Sequence, residues 1–176
     1  GAVDFGLLLF GREELAASRC PLLSALQSVE QFQSVDLTVL MEPTANAIEL
    51  GCQGNLNLTL RFTGRAAHSA RPWTGRNAAH DAIMALVDLA GSEPRDVEVG
   101  GLTFREVAGI VGIRSGVARN VVPAAAEVDV NVRYPPGEPQ GAAARRWVDR
   151  FAALGCDVEI VSDAPPAEVP SDHPLT

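Results

Sequence analysis

A chain of 176 residues, 47% apolar and 20% charged, can bury one large core or two small ones, and its composition excludes a disordered polypeptide. Its 14 Lys and Arg against 22 Asp and Glu leave a net charge of -8, which repels phosphate backbones and anionic bilayers, so neither nucleic acid nor a membrane is an expected partner. Three widely spaced cysteines, Cys20, Cys52 and Cys156, form no CxxC pair, so neither a disulfide framework nor a zinc knuckle is indicated, and a reducing cytoplasm fits.

Phe5 to Phe10 is a continuous apolar run, the pattern of a strand covered on both faces of a parallel sheet, and Leu37 to Met41 repeats it. The first run lacks a basic leader and is far shorter than a membrane span, so the chain is expected to be soluble and unexported. Between the runs, Leu15 to Phe32 has enough apolar residues for a crossover helix, which Pro21 either interrupts or opens. Residues 1–50 therefore predict a βαβ unit.

From Leu56 the pattern changes. Leu56, Leu58, Leu60 and Phe62 alternate with Asn57, Thr59 and Arg61, which predicts a strand with one wet face. Thr74 can cap a helix with the apolar stripe Ala79, Ile83, Leu86, Val87 and Ala90, ended by Gly91. After a polar loop, Glu106 to Ile113 predicts a strand, and Val128, Val130, Val132 and Tyr134 mark another. Pro139 can open a second helix with the stripe Ala144, Trp147, Val148, Phe151 and Leu154, closed by Gly155, before a last strand from Cys156 to Val161.

The order β-α-β-β-α-β predicts an α+β fold, a ferredoxin-like two-layer sandwich of an antiparallel sheet under two helices. Three segments follow: residues 1–50 as part of an α/β domain, 51–162 as the sandwich, and a proline-rich linker over 163–176.

Reactive groups in open parallel sheets gather beyond the carboxyl ends of the strands, and both such ends carry acids here: Arg12-Glu13-Glu14 and Glu42-Pro43-Thr44. Clustered carboxylates repel unless a cation or a shared proton lies between them. Either they are solvated loop acids, or one carboxylate faces a metal while another acts as a general base on water. His68 lies in a loop between Arg65 and Arg71, where a histidine either only meets solvent or binds an oxyanion or carboxylate. Asn120, in a turn, and Arg133, on the polar face of the next strand, are either a turn asparagine and a solvent-facing strand arginine, the commoner case, or an amide and a guanidinium that converge, and an arginine suits bidentate carboxylate binding. His80 and His173 are assigned to the surface. A nucleophile elbow, a phosphate-binding glycine loop and a His-x-x-x-His pair are all missing, so serine hydrolysis, nucleotide binding and the common zinc-protease helix have no support.

Taken in order, Glu13-Glu14, Glu42-Pro43-Thr44, Gly51-Cys52-Gln53-Gly54, Gly64 to Trp73, Asn120 to Pro123 and Asn131-Val132-Arg133-Tyr134 resemble the M20 family of metallopeptidases and deacylases. Within it the chain is most similar to succinyl-diaminopimelate desuccinylases. The resemblance implies a zinc-dependent hydrolase, with cobalt as a possible substitute metal, that cleaves a succinyl or related acyl group from an amino acid such as N-succinyl-diaminopimelate in lysine biosynthesis. It also implies a homodimer joined through the sandwich, which serves as a lid.

By the same resemblance Glu13 is the general base, Glu14 binds one zinc and Glu42 the other. His68 reaches across to the partner's site to stabilise an oxyanion, Asn120 is a second lid contribution, and Arg133 holds a substrate carboxylate. The chain departs from the family in lacking a His-x-Asp motif before Glu13, a bridging aspartate and a late histidine ligand, so two ligands remain, too few for a dinuclear site. The polypeptide is therefore expected to be an inactive fragment of an active enzyme. Other acyl-removing or dipeptide-cleaving M20 enzymes, and a ferredoxin-like dimerisation module without chemistry, are the alternatives.

Overall fold

The structure, a computed structural model, describes residues 5–12 and 19–168. It divides between Asn46 and Ala47 into two units.

In the first unit a short helix α1 spans Leu22–Ser28, followed by a 3₁₀ turn over Glu30–Ser34. Pro21 opens α1 from the N-cap position: its carbonyl accepts the N–H of Ala25 at 3.0 Å and the hydroxyl of Ser24 at 2.8 Å. The helix buries none of its residues. Neither Phe5 to Phe10 nor Leu37 to Met41 forms a strand, so the expected βαβ unit reduces to its helix among the described residues. A strand exists only where a neighbour takes its N–H and C=O groups. The two runs do not pair, and Phe5, Leu9 and Met41 are more than four-fifths exposed at 86%, 83% and 89%. A continuous apolar run reports a need for cover on both faces; it does not supply the cover.

The second unit is built on β1, Gly54–Thr63, which runs antiparallel to β6, Ala125–Tyr134, over its whole length. The register sets Leu56 against Val132, Leu58 against Val130 and Leu60 against Val128, so one face of both strands is apolar throughout. On the other side of β1 lies β7, Asp157–Ala164. β4, Leu102–Ser115, pairs with β6 through its second half and, through its first, with β3, Arg95–Val99. The antiparallel sheet thus has the order β3-β4-β6-β1-β7.

The apolar face is covered by α2, Ala78–Ala85, continued by α3, Val87–Ala90, and by α4, Ala142–Ala152. Leu56, Leu58, Leu60, Val128, Val130 and Val132 meet Ala82, Leu86, Leu89, Trp147 and Phe151 in one core. At about 25 cal/mol per Å² of apolar surface removed from water, this layer contact is the main term holding the unit together. The ferredoxin-like α+β sandwich expected from the sequence is therefore present, with one strand more.

That extra strand, β3, falls in the segment expected to be a polar loop. Gly100 and Gly101, at φ 58° and 79°, make the two-residue turn that returns the chain from β3 into β4, a conformation other residues resist. The first helix also differs. Asn77, not Thr74, caps it, its Oδ1 accepting the N–H groups of Ala79 and His80 at 3.0 and 3.3 Å. The buried stripe is consequently Ala78, Ala82, Leu86 and Leu89, while the expected Ile83 and Val87 are 59% and 58% exposed. Gly141, left-handed at φ 72°, precedes α4, so Pro139 opens a turn before the helix and not the helix itself. β7 runs on to Ala164, and Ala167 bridges to Cys52, so residues 164–167, the described start of the expected linker, stay attached to the sheet margin. No helix among the described residues is long and apolar enough to cross a membrane.

On the wet face of the sheet, Arg61 bonds Glu127 at 3.0 Å and Thr59 bonds Asp129 at 2.9 Å, while Arg114 reaches both carboxylates. Hydrogen bonds from Arg61 and Arg114 hold Glu127 below its ordinary pKa, and those from Arg114 and Thr59 do the same to Asp129. Glu106 on β4 is 6% exposed and meets Arg146 of α4 at 2.7 Å and Arg95 of β3 at 2.9 Å, tying the added strand and a helix to the sheet. Burial works to raise the Glu106 pKa, but the hydrogen bonds from Arg146 and Arg95 outweigh it and the carboxyl stays below the usual range.

Candidate active-site lid

His68 lies on a loop closed at its base by two reciprocal backbone bonds, Arg65 N–H to the Arg76 carbonyl at 2.8 Å and Arg76 N–H to the Arg65 carbonyl at 2.9 Å. The closure demands glycine on both sides. A Cβ on Gly64 would sit 2.2 Å from the Arg76 carbonyl oxygen, and one on Gly75 would sit 2.5 Å from that of Arg65.

Above the base, β2, Ala67–His68, pairs with β5, Val121–Val122, setting His68 opposite Val121. Ser69 donates its N–H to the Asn120 carbonyl at 2.9 Å, Gly64 to Ala124 at 2.8 Å and Ala78 to Pro123 at 3.0 Å. Val122, 6% exposed, anchors this strap. Two turns complete the tip: Arg71 N–H returns to the His68 carbonyl at 2.8 Å, and Val121 N–H to that of Ala118 at 3.2 Å. His68 and Asn120 are thus held side by side on exposed loops by backbone bonds alone.

The ring of His68 is oriented as well. Its Nδ1 accepts the N–H of Ala70 at 3.1 Å. A neutral imidazole that accepts at Nδ1 carries its proton on Nε2, which is then a donor. An Nε2–H on an exposed histidine suits an anionic oxygen.

Arg133 is placed elsewhere. It lies on the wet face of β6, opposite Asn55 and Val107, near the end of the strand that leads away from the His68 loop. With a rise of about 3.4 Å per residue, the step from Ala125 to Arg133 is about 27 Å. The expected convergence of Asn120 and Arg133 is therefore corrected: alternation told which face Arg133 occupies and could not tell how far along the strand it sits. Glu42, in the first unit, is exposed, with its N–H on the Leu40 carbonyl at 3.2 Å. Glu13, Glu14 and His173 lie outside the described residues. Among the described residues no three His, Cys, Asp or Glu side chains are grouped to hold a metal, so these residues by themselves do not fit the implied dinuclear zinc site. His80 is exposed on α2, as expected, and the three cysteines are free.

Sequence reasoning did not single out Ser69, Gly64 or Gly75 as the parts that hold the lid tip. The glycines were the available signal, at both ends of a loop whose middle holds the histidine.

The fold and the strap together define a ferredoxin-like sandwich that carries His68 and Asn120 on joined loops at one end of its sheet. The chain belongs to the M20 peptidase family: its peptidase dimerisation domain matches residues 50–155. A Mycobacterium tuberculosis protein named provisionally as a succinyl-diaminopimelate desuccinylase is 38% identical over 156 residues, covering 89% of this chain and 44% of its own. The succinyl-diaminopimelate desuccinylase of Corynebacterium glutamicum is 36% identical over 154 residues, covering 88% and 42%. The chain thus spans less than half the length of these relatives. Among solved structures, a tripeptidase from Staphylococcus aureus superposes with a TM-score of 0.52 at 18% identity, covering 72% of this chain and 33% of its own, a likeness of fold.

Proposed function

We propose that this chain is the dimerising lid, with part of the catalytic domain, of a zinc-dependent M20 hydrolase that removes a succinyl or related acyl group from an amino acid such as N-succinyl-diaminopimelate. The observation that supports this is the His68 strap, in which Ala70 N–H bonds Nδ1 of the exposed His68 and the Ser69 to Asn120 backbone bond brings the two loops together. Attack of water on an amide carbonyl places negative charge on its oxygen, and a preoriented donor lowers that barrier by about 3 kcal/mol. His68 supplies the donor and Asn120 a second polar contact, both from the lid of one protomer toward the site of the other.

In the same proposal Glu13 is the general base, Glu14 and Glu42 are metal ligands, and Arg133 holds a substrate carboxylate. Zinc, when bound in the complete enzyme, polarises the amide carbonyl. The enzyme is expected to work in the cytoplasm.

The homodimer proposed here joins through the outer half of β4 and the α2–α3 face. β3 covers β4 only over residues 102–106, leaving the outer edge from Val107 to Ser115 without a strand among the described residues. Val111 and Ile113 on that stretch are 66% and 62% exposed, and Ile83, Met84 and Val87 on the helix layer are 59%, 73% and 58% exposed. The opposite edge, β7, carries Asp157, Glu159 and Asp163, charges that discourage strand addition. A two-fold pairing of β4 edges continues the sheet and buries both sets of apolar residues.

The test is hydrolysis of N-succinyl-L,L-diaminopimelate by the complete protein, against N-acetylornithine and a dipeptide, with and without a chelator. Preference for the succinylated substrate, lost on chelation and restored by zinc, is expected. Failure to cleave any acylated amino acid would overturn the proposal.

A further inference from the structure

We propose that Arg71 and Arg119 form a cationic rim around His68 and Asn120 that reads a free carboxylate on the acyl group, so that the lid selects dicarboxylic acyl chains over neutral ones. The inference rests on the function proposed above and names its substrate class.

The charge pattern is the first support. Although the chain carries a net charge of -8, residues 64–80 and 114–126 contain no Asp or Glu, and they hold Arg65, Arg71, Arg76, Arg114 and Arg119. The acids that flank them in sequence are already engaged: Asp81 pairs with Arg76, and Glu127 with Arg61 and Arg114. Elsewhere in the sandwich Arg95, Arg105 and Arg146 each meet a carboxylate. Arg71 and Arg119 are exposed and make no ion pair among the described residues. An acidic protein has thus kept a local excess of positive charge at one end of its lid, in the field that attracts an anionic substrate.

Geometry is the second support. Arg71 closes the turn begun by His68, Arg119 occupies the turn from Ala118 to Val121, and the Ser69 to Asn120 bond locks the two turns together. The backbones of Arg71 and Arg119 therefore lie in the two turns that the Ser69 to Asn120 bond joins, one on each side of the His68 strap. Every basic residue in the chain is an arginine, the side chain whose planar fork matches a carboxylate with two parallel bonds. Arg133, about 27 Å along β6 from the strap, cannot serve the His68 end of its own protomer.

The experiment has two arms. In the complete protein, Arg71→Gln, Arg119→Gln and the double variant are compared on an N-succinyl and an N-acetyl derivative of the same amino acid. The double variant is expected to lose roughly tenfold to hundredfold in kcat/KM on the succinyl substrate, chiefly through KM, and less than about threefold on the acetyl one. Lysine at both positions should recover part of the loss, and His68→Gln should reduce both substrates alike. Equal effects of the double variant on both substrates, or none on either, would overturn the rim. In the second arm, the 176-residue chain is titrated with succinate and with acetate and followed by NMR. Succinate alone is expected to shift the Arg71 and Arg119 Nε–H signals, and the double variant to abolish perturbation of His68. If the complete protein cleaves no acylated amino acid, the proposed function fails, and the titration still decides the rim: no succinate-specific shift removes it.

Discussion

The backbone N–H of Ser69 reaches the carbonyl of Asn120 at 2.9 Å, and this one bond joins two loops that are far apart in sequence and polar at their tips. Around it, the β2–β5 pair and the Ala70 bond to Nδ1 fix His68 in both position and tautomer. His68→Gln keeps a side chain of similar reach but loses the oriented Nε2–H. In the complete enzyme kcat should fall about 10²- to 10³-fold with little change in KM, the size seen when one oxyanion donor is removed. Because His68 is exposed, Tm should stay within a degree or two, and thermal unfolding followed by circular dichroism checks that the loss is chemical.

Gly64 and Gly75 make a sharper test of the strap than any polar residue does. The nearest atom a Cβ would strike at either position is a backbone carbonyl oxygen of the Arg65–Arg76 bridge and cannot swing away. Gly75→Ala should open that bridge and cost about 1 to 3 kcal/mol, the usual range for backbone strain. Amide hydrogen exchange is expected to show lost protection at Arg65, Arg76 and Ser69, with the β1–β6 amides still protected at their centre. Unchanged protection at those three amides would mean that the loop does not depend on its closed base.

The sandwich was legible because its chemistry is local. Leu56 to Phe62 and Val128 to Tyr134 alternate without error, and each strand announces its own buried face. The Val99-Gly100-Gly101-Leu102 hairpin went unread: Arg95, Asp96 and Glu98 disguise β3 as a loop, since an edge strand carries charges that a central strand cannot. Two things had no local signal. The distance between Asn120 and Arg133 depends on where a strand begins, and the pairing of Phe5 to Phe10 depends on neighbours that a single stretch of sequence does not name. The sequence brought out the candidate site as residue types and not as neighbours: alternation told the wet face of Arg133, but Asn120 was read beside Arg133, whereas the Ser69 to Asn120 bond joins its turn to the His68 loop.

Glu106 is where β3, β4 and α4 are joined by charge. Glu106→Gln leaves Arg146 and Arg95 facing a neutral amide and should destabilise the sandwich by about 2 to 3 kcal/mol. Urea unfolding reads this as a lower midpoint at unchanged slope. Glu106→Leu, which removes the carboxylate and fills the space, separates the loss of the pair from the loss of packing.

The same carboxylates set the acid limit of the fold. Glu106, Glu127 and Asp129 all have pKa values below their ordinary ones in the folded chain. A depressed folded pKa means that the stabilisation is fully present above the unfolded value, about 4 for these groups, and is lost as pH falls through the folded one. Tm should therefore be level from about pH 7 to 5 and drop steeply below about pH 4. Asp129→Asn should start lower and fall less steeply, because one of the titrating groups is gone. A variant curve parallel to the wild-type curve throughout would show that the Arg114 contact to Asp129 contributes nothing to the acid transition.

The β4 edge gives the last expectation. Between Val107 and Ser115 the strand carries one charged residue, Arg114, and that guanidinium is engaged with Glu127 and Asp129 on the wet face. An uncharged edge next to exposed Ile83, Met84 and Val87 is a surface that either aggregates or meets a copy of itself in register. A closed two-fold pairing protects both edges at once, whereas a heterologous contact would leave one edge free and grow into a fibre. Sedimentation of the 176-residue chain should show a dimer at micromolar concentration. Ile113→Lys, which puts a charge at the middle of the shared edge, should shift it to monomer without unfolding it, since Ile113 is 62% exposed. Ile160→Lys, on the opposite edge strand β7, should leave the dimer intact. The reverse pattern would move the interface to β7, and the paired lids would then extend from the β1 side of the sheet.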